Sequence, residues 1–355
     1  MGTSIRGWEM RSPGEPLVEV ERVVDAPASG QVVVAVAGCG VCHTDVGYLF
    51  DGVRTRHPLP LTLGHEVAGT VIATGEGAAE LDGRKVVVPA VIPCGECSPC
   101  RRGRGGICAA QVFVGCDVHG GFASHLVVPA RGLCTVDDAD LAASGVALAD
   151  LGVLADAITT PYQAILRSGL QEGDVAVFVG AGGVGGFGVQ IARALGARVV
   201  AIDVDPERLA LMAAHGAELT LDARAGDARA LRGRVRDWAK AEKLPAAEWR
   251  IFETSGSAAG QELAFGLLGP GAWLGVVGYT LDAVSVKLSN LMAFDATAQG
   301  NWGCLPEHYP GALDLVLAGD VVIEPFIERF PLRDVNRVLT DVHAHRLRRR
   351  PLLIP

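Results

Sequence analysis

The chain has 355 residues, of which 49% are hydrophobic, and its formal net charge at pH 7 is −9. A chain of this length can bury a large core and exceeds one average domain, so we expect two domains. The acidic balance argues against a general binder of the nucleic-acid backbone, which needs a basic surplus. No signal-peptide pattern and no uninterrupted apolar stretch of membrane-spanning length is visible, so we expect a cytoplasmic protein without a membrane partner.

The first half of the sequence, up to about Leu154, is rich in β-branched runs separated by glycine and proline. Such runs are typical of strands, and the turn residues between them indicate a domain built mainly from β-structure. The predicted strands of this half span residues 31–37, 67–73 and 85–88.

From about Thr160 the pattern changes to short apolar runs that alternate with amphipathic segments. This alternation predicts βαβ units around a parallel sheet. The predicted strands are 175–179 and 199–202, with a late buried strand at 273–279, and the predicted helices are 184–195 and 206–215. Residues 301–355 indicate a return to mixed structure.

The first predicted strand of the second half runs directly into a glycine-rich turn. Gly180, Gly182 and Gly185 have the spacing G-x-G-x-x-G, with Gly183 inside the turn, and a predicted helix follows. Glycine allows the tight turn and the approach of a pyrophosphate, which the free N–H groups of the helix N-terminus then bind. A second register, Gly183, Gly185 and Gly188, also fits, but the first begins where the apolar strand stops.

Asp203 ends the next predicted strand, about 20 residues further on, as dinucleotide-binding folds require. A carboxylate at this point accepts hydrogen bonds from ribose hydroxyls and repels a 2′-phosphate. The sequence therefore predicts a site for NAD rather than NADP. A glycine-rich turn that binds no cofactor is the alternative.

The chain contains nine cysteines, and their clustering indicates metal binding rather than disulfides. Four of them follow the pattern C-x2-C-x2-C-x7-C in a loop over about residues 93–110, at Cys94, Cys97, Cys100 and Cys108. Four thiolates complete a tetrahedral zinc site with no open position, so we expect a structural zinc. An iron–sulfur cluster and free thiols are the alternatives. Arg101, Arg102 and Arg104 are interpreted as offsetting the thiolate charge.

Cys42, His65 and Asp156 form a second candidate metal site. Cysteine, histidine and carboxylate are all zinc ligands, and three of them leave a fourth position for water or an alcohol. Singly, they are equally well interpreted as a core thiol, a hydrogen-bonded core histidine and a helix cap. Together they predict a catalytic zinc.

The segment GHEVAGTVIATG matches the signature G-H-E-x2-G-x5-G at Gly64, His65, Glu66, Gly69 and Gly75. Through this signature the chain resembles the zinc-containing medium-chain alcohol dehydrogenases, over nearly its whole length. The resemblance implies an α/β fold in which a Rossmann NAD-binding domain, residues 159–303, is inserted into a mainly β GroES-like catalytic domain. That catalytic domain would comprise residues 1–158, with the zinc lobe, and residues 304–355.

The resemblance also implies roles for individual residues. Cys42, His65 and Asp156 would hold the catalytic zinc, one of two zinc ions per chain. Asp45 would orient the ligand histidine, Glu66 would approach the metal during ligand exchange, and Thr44 would accept the substrate proton.

Two further features of the resemblance concern the proton route and the cofactor. Many family members carry a histidine where this chain has Gly47, and the substitutes open here are Tyr48, His57 or a chain of waters. Near the C-terminus, Arg350 matches an arginine that meets the cofactor pyrophosphate. Its neighbours Arg346, Arg348 and Arg349 are alternatives for that contact.

A narrower resemblance concerns the substrate. Residues 39–66 and 119–134 resemble 6-hydroxycyclohex-1-ene-1-carbonyl-CoA dehydrogenases of anaerobic aromatic degradation. This implies oxidation of a secondary ring alcohol on a CoA thioester, with Arg54 and Arg56 as candidates for binding the CoA phosphates. The alternatives are a dehydrogenase of simple aliphatic or aromatic alcohols and, more distantly, an inactive nucleotide-binding scaffold. The family further implies a homo-oligomer, a dimer or tetramer joined through edge strands of the cofactor domains.

Overall fold

The computed structural model of the chain describes residues 2–355, and they divide into two compact units. Unit 1 comprises residues 2–159, 303–319 and 323–355, and unit 2 comprises residues 160–302 and 320–322. The domain limits predicted after residues 158 and 303 each lie one residue from these divisions. As limits of independently folding domains they stay a prediction, and the short segment 320–322 was not anticipated.

The N-terminal part of unit 1 consists mainly of strands, because its β-branched side chains fit a pleated, half-buried surface. The predicted strands are confirmed: 85–88 has the predicted limits, and the other two extend by one to three residues. The strands are β1 Thr3–Met10, β2 Val18–Val24, β3 Gln31–Gly40, β4 Leu61–Thr62, β5 Glu66–Thr74, β6 Lys85–Val88, β7 Val91–Ile92, β8 Val112–Phe113, β9 His125–Pro129 and β10 Cys134–Val136. The helices are α1 His43–Leu49, α2 Ser98–Arg101 and α3 Asp138–Ser144, followed by a 3-10 helix over Leu148–Ala155.

Unit 2 is a doubly wound α/β fold, which confirms the predicted fold class. Its strands are β11 Val175–Val179, β12 Arg198–Asp203, β13 Ala217–Asp222, β14 Arg250–Glu253, β15 Trp273–Val276 and β16 Thr297–Gly300. They are all parallel and lie in the order β13-β12-β11-β14-β15-β16. The helices are α4 Thr159–Ser168, α5 Gly185–Ala194, α6 Pro206–Ala214, α7 Ala228–Ala241, α8 Ala258–Gly266 and α9 Ser289–Phe294. The strand order reverses between β11 and β14, where folds of this kind bind a dinucleotide.

One predicted strand of unit 2 is too long. The sequence predicts a strand over 273–279, but β15 ends at Val276. Beyond it, the N–H groups of Val277 and Gly278 both donate to the carbonyl of Glu253 and no longer extend the sheet ladder.

The C-terminal segment completes unit 1. It contains α10 Tyr309–Leu317, β17 Ile327–Pro331, α11 Val335–His343 and β18 Arg350–Ile354. β18 pairs antiparallel with β3, with Leu352 opposite Gly40, so the end of the chain enters the sheet that also contains β5. The core of unit 1 packs around this sheet through fully buried residues such as Val34, Val67 and Val86.

No helix within residues 2–355 is long and apolar enough to cross a membrane.

Candidate active site and metal centres

Cys42 lies between the end of β3 and the start of α1. It is the N-cap residue of α1, and its backbone N–H donates to Asp45 Oδ2 at 3.0 Å. The short side chain of Asp45, at the third helical position, satisfies an N–H group that the helix itself leaves unpaired. The position of the Cys42 thiol is therefore set by a local turn.

Asp45 also connects Cys42 to His65. It is fully buried, its Oδ1 accepts a hydrogen bond from Gly64 N at 3.0 Å, and the same atom lies 3.4 Å from His65 Nδ1. His65 Nδ1 makes no hydrogen bond among the described residues, so Asp45 acts on the ring mainly through its charge, which favours the tautomer with the lone pair on Nε2. Burial lowers the pKa of His65, but Asp45 and Asp156 together outweigh this effect and raise it. The structure brings Asp45 beside His65, and its orienting role stays a prediction.

Asp156 follows the 3-10 helix Leu148–Ala155 as its C-cap residue. Its Oδ2 lies 3.6 Å from Cys42 Sγ and 3.6 Å from His65 Nε2. A tetrahedral zinc with ligand bonds of 2.0–2.3 Å separates its donors by roughly 3.3–3.8 Å. The three side chains predicted from the sequence therefore converge with the spacing that a zinc ion requires.

Glu66 is the fourth member of this cluster, with a donor atom within 4.8 Å of the other three. Burial raises its pKa to about 7, and Arg350 opposes that shift. Arg350 Nε donates to Glu66 Oε2 at 2.8 Å, a second bond reaches Glu66 Oε1, and Arg350 Nη2 lies 3.8 Å from Asp156 Oδ2.

This buried ion pair was missed from the sequence. The two residues are 284 positions apart, and only the pairing of β18 with β3 brings Arg350 beside the start of β5. No local sequence signal could have found it. The predicted contact of Arg350 with a cofactor pyrophosphate stays a prediction.

Thr44 lies beside the converging donors. Its Oγ1 is 3.6 Å from Cys42 Sγ, and its role as the residue that accepts the substrate proton stays a prediction. Among the substitutes for the missing histidine at Gly47, Tyr48 is buried, and burial together with the neighbouring Cys116 raises the pKa of its hydroxyl. His57 directs Nδ1 at the carbonyl of Pro58, 2.5 Å away.

The four clustered cysteines form a compact second site at the β7–β8 pair. Their sulfur atoms are 3.3 Å apart between Cys97 and Cys100, 3.7 Å between Cys97 and Cys108, and 3.9 Å between Cys94 and Cys100. These separations exceed a disulfide bond of about 2.05 Å and match the edges of a tetrahedron around one ion. In iron–sulfur clusters the four thiolates are divided among two or four irons, whereas here Cys97 lies close to both Cys100 and Cys108 and all four sulfurs lie within 4.8 Å of one another, so that alternative fits poorly.

Backbone N–H groups favour the thiolate form of Cys94, whereas burial and Cys97 raise the pKa of Cys100 to about 12. Cys97 N donates to Cys94 Sγ at 3.4 Å, and Cys94 N donates to Cys108 Sγ at 3.5 Å. Hydrogen bonds from the backbone at Glu96 and Cys97 lower the pKa of Cys94 to about 6. Since a metal-bound thiol must be deprotonated, the lobe fits a structural zinc.

In unit 2, the glycine-rich turn has the geometry of a dinucleotide site. Gly180 follows β11 with a φ of +96°, and a Cβ there would lie 2.5 Å from the Ser255 backbone. A Cβ on Gly185, the first residue of α5, would lie 1.9 Å from the Gly180 carbonyl oxygen. The turn therefore begins at Gly180, which favours the first register.

Asp203 closes this turn from the end of β12. It is 6% exposed, and its Oδ2 accepts a hydrogen bond from Ala181 N at 2.6 Å. Sequence reasoning missed Arg208 on α6, whose Nη1 lies 3.8 Å from the position of a Cβ on Gly182. Its Nε is buried without a hydrogen-bond partner among the described residues. The signal available in the sequence was an arginine five residues after Asp203, the residue that ends β12.

The two arginines proposed for a CoA substrate are not equivalent. Arg56 Nε lies 2.5 Å from Asp117 Oδ1, so its charge already has a partner. Arg54 is exposed on the same loop. The pair therefore does not present two free guanidinium groups.

Comparison with known proteins agrees with this geometry. Residues 28–138 match the family described as alcohol dehydrogenase GroES-like domain, and residues 183–318 match the family described as zinc-binding dehydrogenase. An alcohol dehydrogenase of Rhizobium meliloti is 35% identical over 224 residues, which are 62% of this chain and 63% of that protein. Galactitol 1-phosphate 5-dehydrogenase of Escherichia coli is 29% identical over 337 residues, 92% of each chain.

A solved structure of an alcohol dehydrogenase has the same fold. The cobalt- and zinc-bound thermostable alcohol dehydrogenase from Pyrobaculum aerophilum superposes with a TM-score of 0.82 at 26% identity, covering 99% of this chain and 100% of its own. The chain belongs to the zinc-containing medium-chain alcohol dehydrogenase family and is an NAD-dependent oxidoreductase that acts on CH–OH groups.

Proposed function

We propose that the chain oxidises a small aliphatic or aromatic alcohol to the carbonyl compound, with Cys42, His65 and Asp156 as ligands of a catalytic zinc. The observation that carries this proposal is the convergence of these three donors around one point. Thr44 Oγ1 lies 3.6 Å from the Cys42 sulfur, beside them. A nucleotide-binding scaffold has no need for an open metal site, so the geometry favours an enzyme.

When both are bound, zinc polarises the alcohol oxygen as a Lewis acid and the nicotinamide ring accepts a hydride. The chain's own residues prepare the site. Asp45 holds His65 with Nε2 directed at the metal position. We infer that Thr44 Oγ1 accepts the substrate proton while its own proton moves on towards water.

In unit 2 we assign the cofactor contacts to the glycine-rich turn and the residue that closes it. The N-terminus of α5 would bind the pyrophosphate of NAD with free N–H groups. Asp203 would accept hydrogen bonds from the ribose hydroxyls, and Arg208 supplies a cation beside the turn.

The second candidate substrate is a secondary ring alcohol on a CoA thioester, with a role in anaerobic aromatic degradation. It is supported by the resemblance carried by residues 39–66 and 119–134. The relatives described above are named as an alcohol dehydrogenase and a galactitol 1-phosphate 5-dehydrogenase, and neither name refers to a CoA thioester. Since Asp117 already neutralises Arg56, the simple-alcohol proposal ranks first.

We also propose a homo-oligomer joined through the edge of the unit 2 sheet. β16 is the last strand in the sheet order, and large apolar side chains in the surrounding part of unit 2 are exposed. They are Tyr279, Leu281, Leu288, Met292 and Trp302. Sedimentation of the protein with Met292→Asp should show a lower mass than the unmodified chain, and a monomeric unmodified chain would refute this assembly.

The substrate proposal is tested by the absorbance of NADH at 340 nm with the zinc-loaded protein. The panel contains primary, secondary and benzylic alcohols, cyclohexanol, galactitol 1-phosphate and the cyclic hydroxyacyl-CoA with its free acid. Turnover of the simple alcohols without benefit from CoA supports the first candidate, and preference for the thioester supports the second. NAD binding without turnover of any compound would favour the scaffold.

A further inference from the structure

We propose that Tyr309 is a positioning residue for Asp156, acting through the peptide that precedes this carboxylate. The inference rests on the proposed function, in which Asp156 is the third ligand of the catalytic zinc. Tyr309 is the first residue of α10, in the segment that returns to unit 1 after the cofactor domain. No sequence pattern singles it out.

The side chain of Tyr309 is completely buried, and its hydroxyl makes two hydrogen bonds to the backbone. The hydroxyl donates to the carbonyl oxygen of Ala155 and accepts from the N–H of Ala90 at 3.2 Å. A phenol hydroxyl can donate one hydrogen bond and accept others, so it can bond to the carbonyl and to the N–H at the same time.

The carbonyl of Ala155 needs such a partner because of where the helix ends. The last carbonyls of a helix have no N–H group of their own helix to accept from. Ala155 is the final residue of the 3-10 helix, and Asp156 leaves it with φ −141° and ψ −57°. The N–H of Ile158 donates to the carbonyl of Val153 at 3.2 Å, and the hydroxyl of Tyr309 donates to the carbonyl of Ala155.

The second bond anchors the hydroxyl to a rigid part of unit 1. Ala90 lies between β6 and β7, and its carbonyl accepts from Val114 N at 3.1 Å. β7 pairs with β8 at the base of the four-cysteine lobe. The phenol therefore fixes the peptide before Asp156 relative to a hydrogen-bonded framework, not to a free loop.

Tyr309→Phe removes only this hydroxyl and leaves the ring in its cavity. The carbonyl of Ala155 then loses its partner in a buried position, and the peptide can rotate to seek another. Because Asp156 follows directly, its carboxylate no longer points steadily at Cys42 and His65. Loss of a hydrogen bond made directly to a metal ligand weakens metal binding by roughly 10–100-fold, and we take that range for this bond to the adjoining peptide.

The test uses the full chain loaded with Co²⁺ at both sites and titrated with EDTA. The visible spectrum separates the one-thiolate site from the four-thiolate site. For Tyr309→Phe we expect cobalt to leave the one-thiolate site at a roughly 10–100-fold lower concentration of free EDTA than in the unmodified chain. The d–d spectrum of the cobalt at that site should also change. The four-cysteine site should behave as in the unmodified chain.

Two further variants distinguish the possible failures. Asp156→Asn must weaken the same site; if it does not, Asp156 is no ligand and both the proposed site and this inference fail. If Asp156→Asn weakens the site and Tyr309→Phe does not, only the positioning role is wrong. Val338→Ala lowers stability in the core of unit 1 without touching Ala155. Equal cobalt loss in this variant, at a matched drop in Tm, would show that Tyr309 is merely structural.

Discussion

Replacing Arg350 by methionine leaves the Glu66 carboxylate buried without its partner. Glu66 is completely buried, and the side chain of Arg350 is 7% exposed. Two parallel hydrogen bonds join them, a geometry that makes arginine–carboxylate pairs strong. Methionine is apolar and of similar length, so the substitution removes the charge with little change in packing.

The expected cost is that of breaking a buried ion pair from one side. Such changes destabilise proteins by about 3–5 kcal/mol, because an unpaired charge or a forced protonation remains in the interior. For a unit of 150–250 residues, about 1 kcal/mol shifts the Tm by roughly 2–4 °C. We therefore expect the Tm of unit 1 to fall by about 6–20 °C.

Differential scanning calorimetry of the zinc-loaded protein measures this change. Arg346→Met is the matched control, since Arg346 is 58% exposed in its pair with Asp341 and should contribute about 1 kcal/mol or less. Adding Glu66→Gln to Arg350→Met should recover part of the loss, because it removes the unpaired charge. A Tm loss in Arg350→Met no larger than in Arg346→Met would refute the assignment of a buried, stabilising pair.

Three other predictions concern the lobe, the cofactor and the pH dependence. Cys97→Ser removes one of four thiolates, so we expect about one zinc per chain instead of two by elemental analysis; two retained ions would contradict the site. Asp203→Asn removes the charge that repels a 2′-phosphate, so kcat/KM for NADP relative to NAD should rise at least about tenfold, and an unchanged ratio would remove this role. Burial lowers the pKa of His119 to about 4, and its Nδ1 accepts a hydrogen bond from Thr62 N. The neutral ring therefore stabilises the fold above about pH 6.5, and on the order of 1–2 kcal/mol should be lost as the pH falls towards 4. In His119→Gln the urea midpoints at pH 7 and pH 4.5 should differ less than in the unmodified chain; an equal difference would exclude His119 as the cause.

The parts of the molecule that could be predicted are those whose residues lie close together in the sequence. The turn at Gly180 follows its strand and precedes its helix within a dozen positions, so spacing and apolar pattern define it together. The same holds for the four-cysteine lobe, where all ligands lie within 15 residues. For Cys42, His65 and Asp156, spacing alone was insufficient, and the family resemblance supplied the link.

The contacts that were missed depend on strand register and on the path of the returning chain. Arg350 reaches Glu66 because β18 pairs with β3, and Tyr309 reaches Ala155 from a helix 154 positions later. Neither residue has a neighbour in the sequence that reveals its partner. Arg208 differs, because the sequence shows its position after Asp203 at the end of β12 but does not show that its Nε atom is buried.

The electrostatics of the catalytic cluster follow from these long-range contacts. The carboxylates of Glu66 and Asp156 face the buried Arg350, and the carboxylate of Asp45 faces His65. Taking several like charges out of water is costly unless opposite charge compensates them. Asp45 and Asp156 raise the pKa of His65, and an ion that binds Nε2 would replace the proton there; a divalent ion should therefore stabilise unit 1 on binding. We expect the ion pair with Arg350 to keep Glu66 away from the ion, so that Cys42, His65 and Asp156 would bind it and the fourth position would stay open for an alcohol.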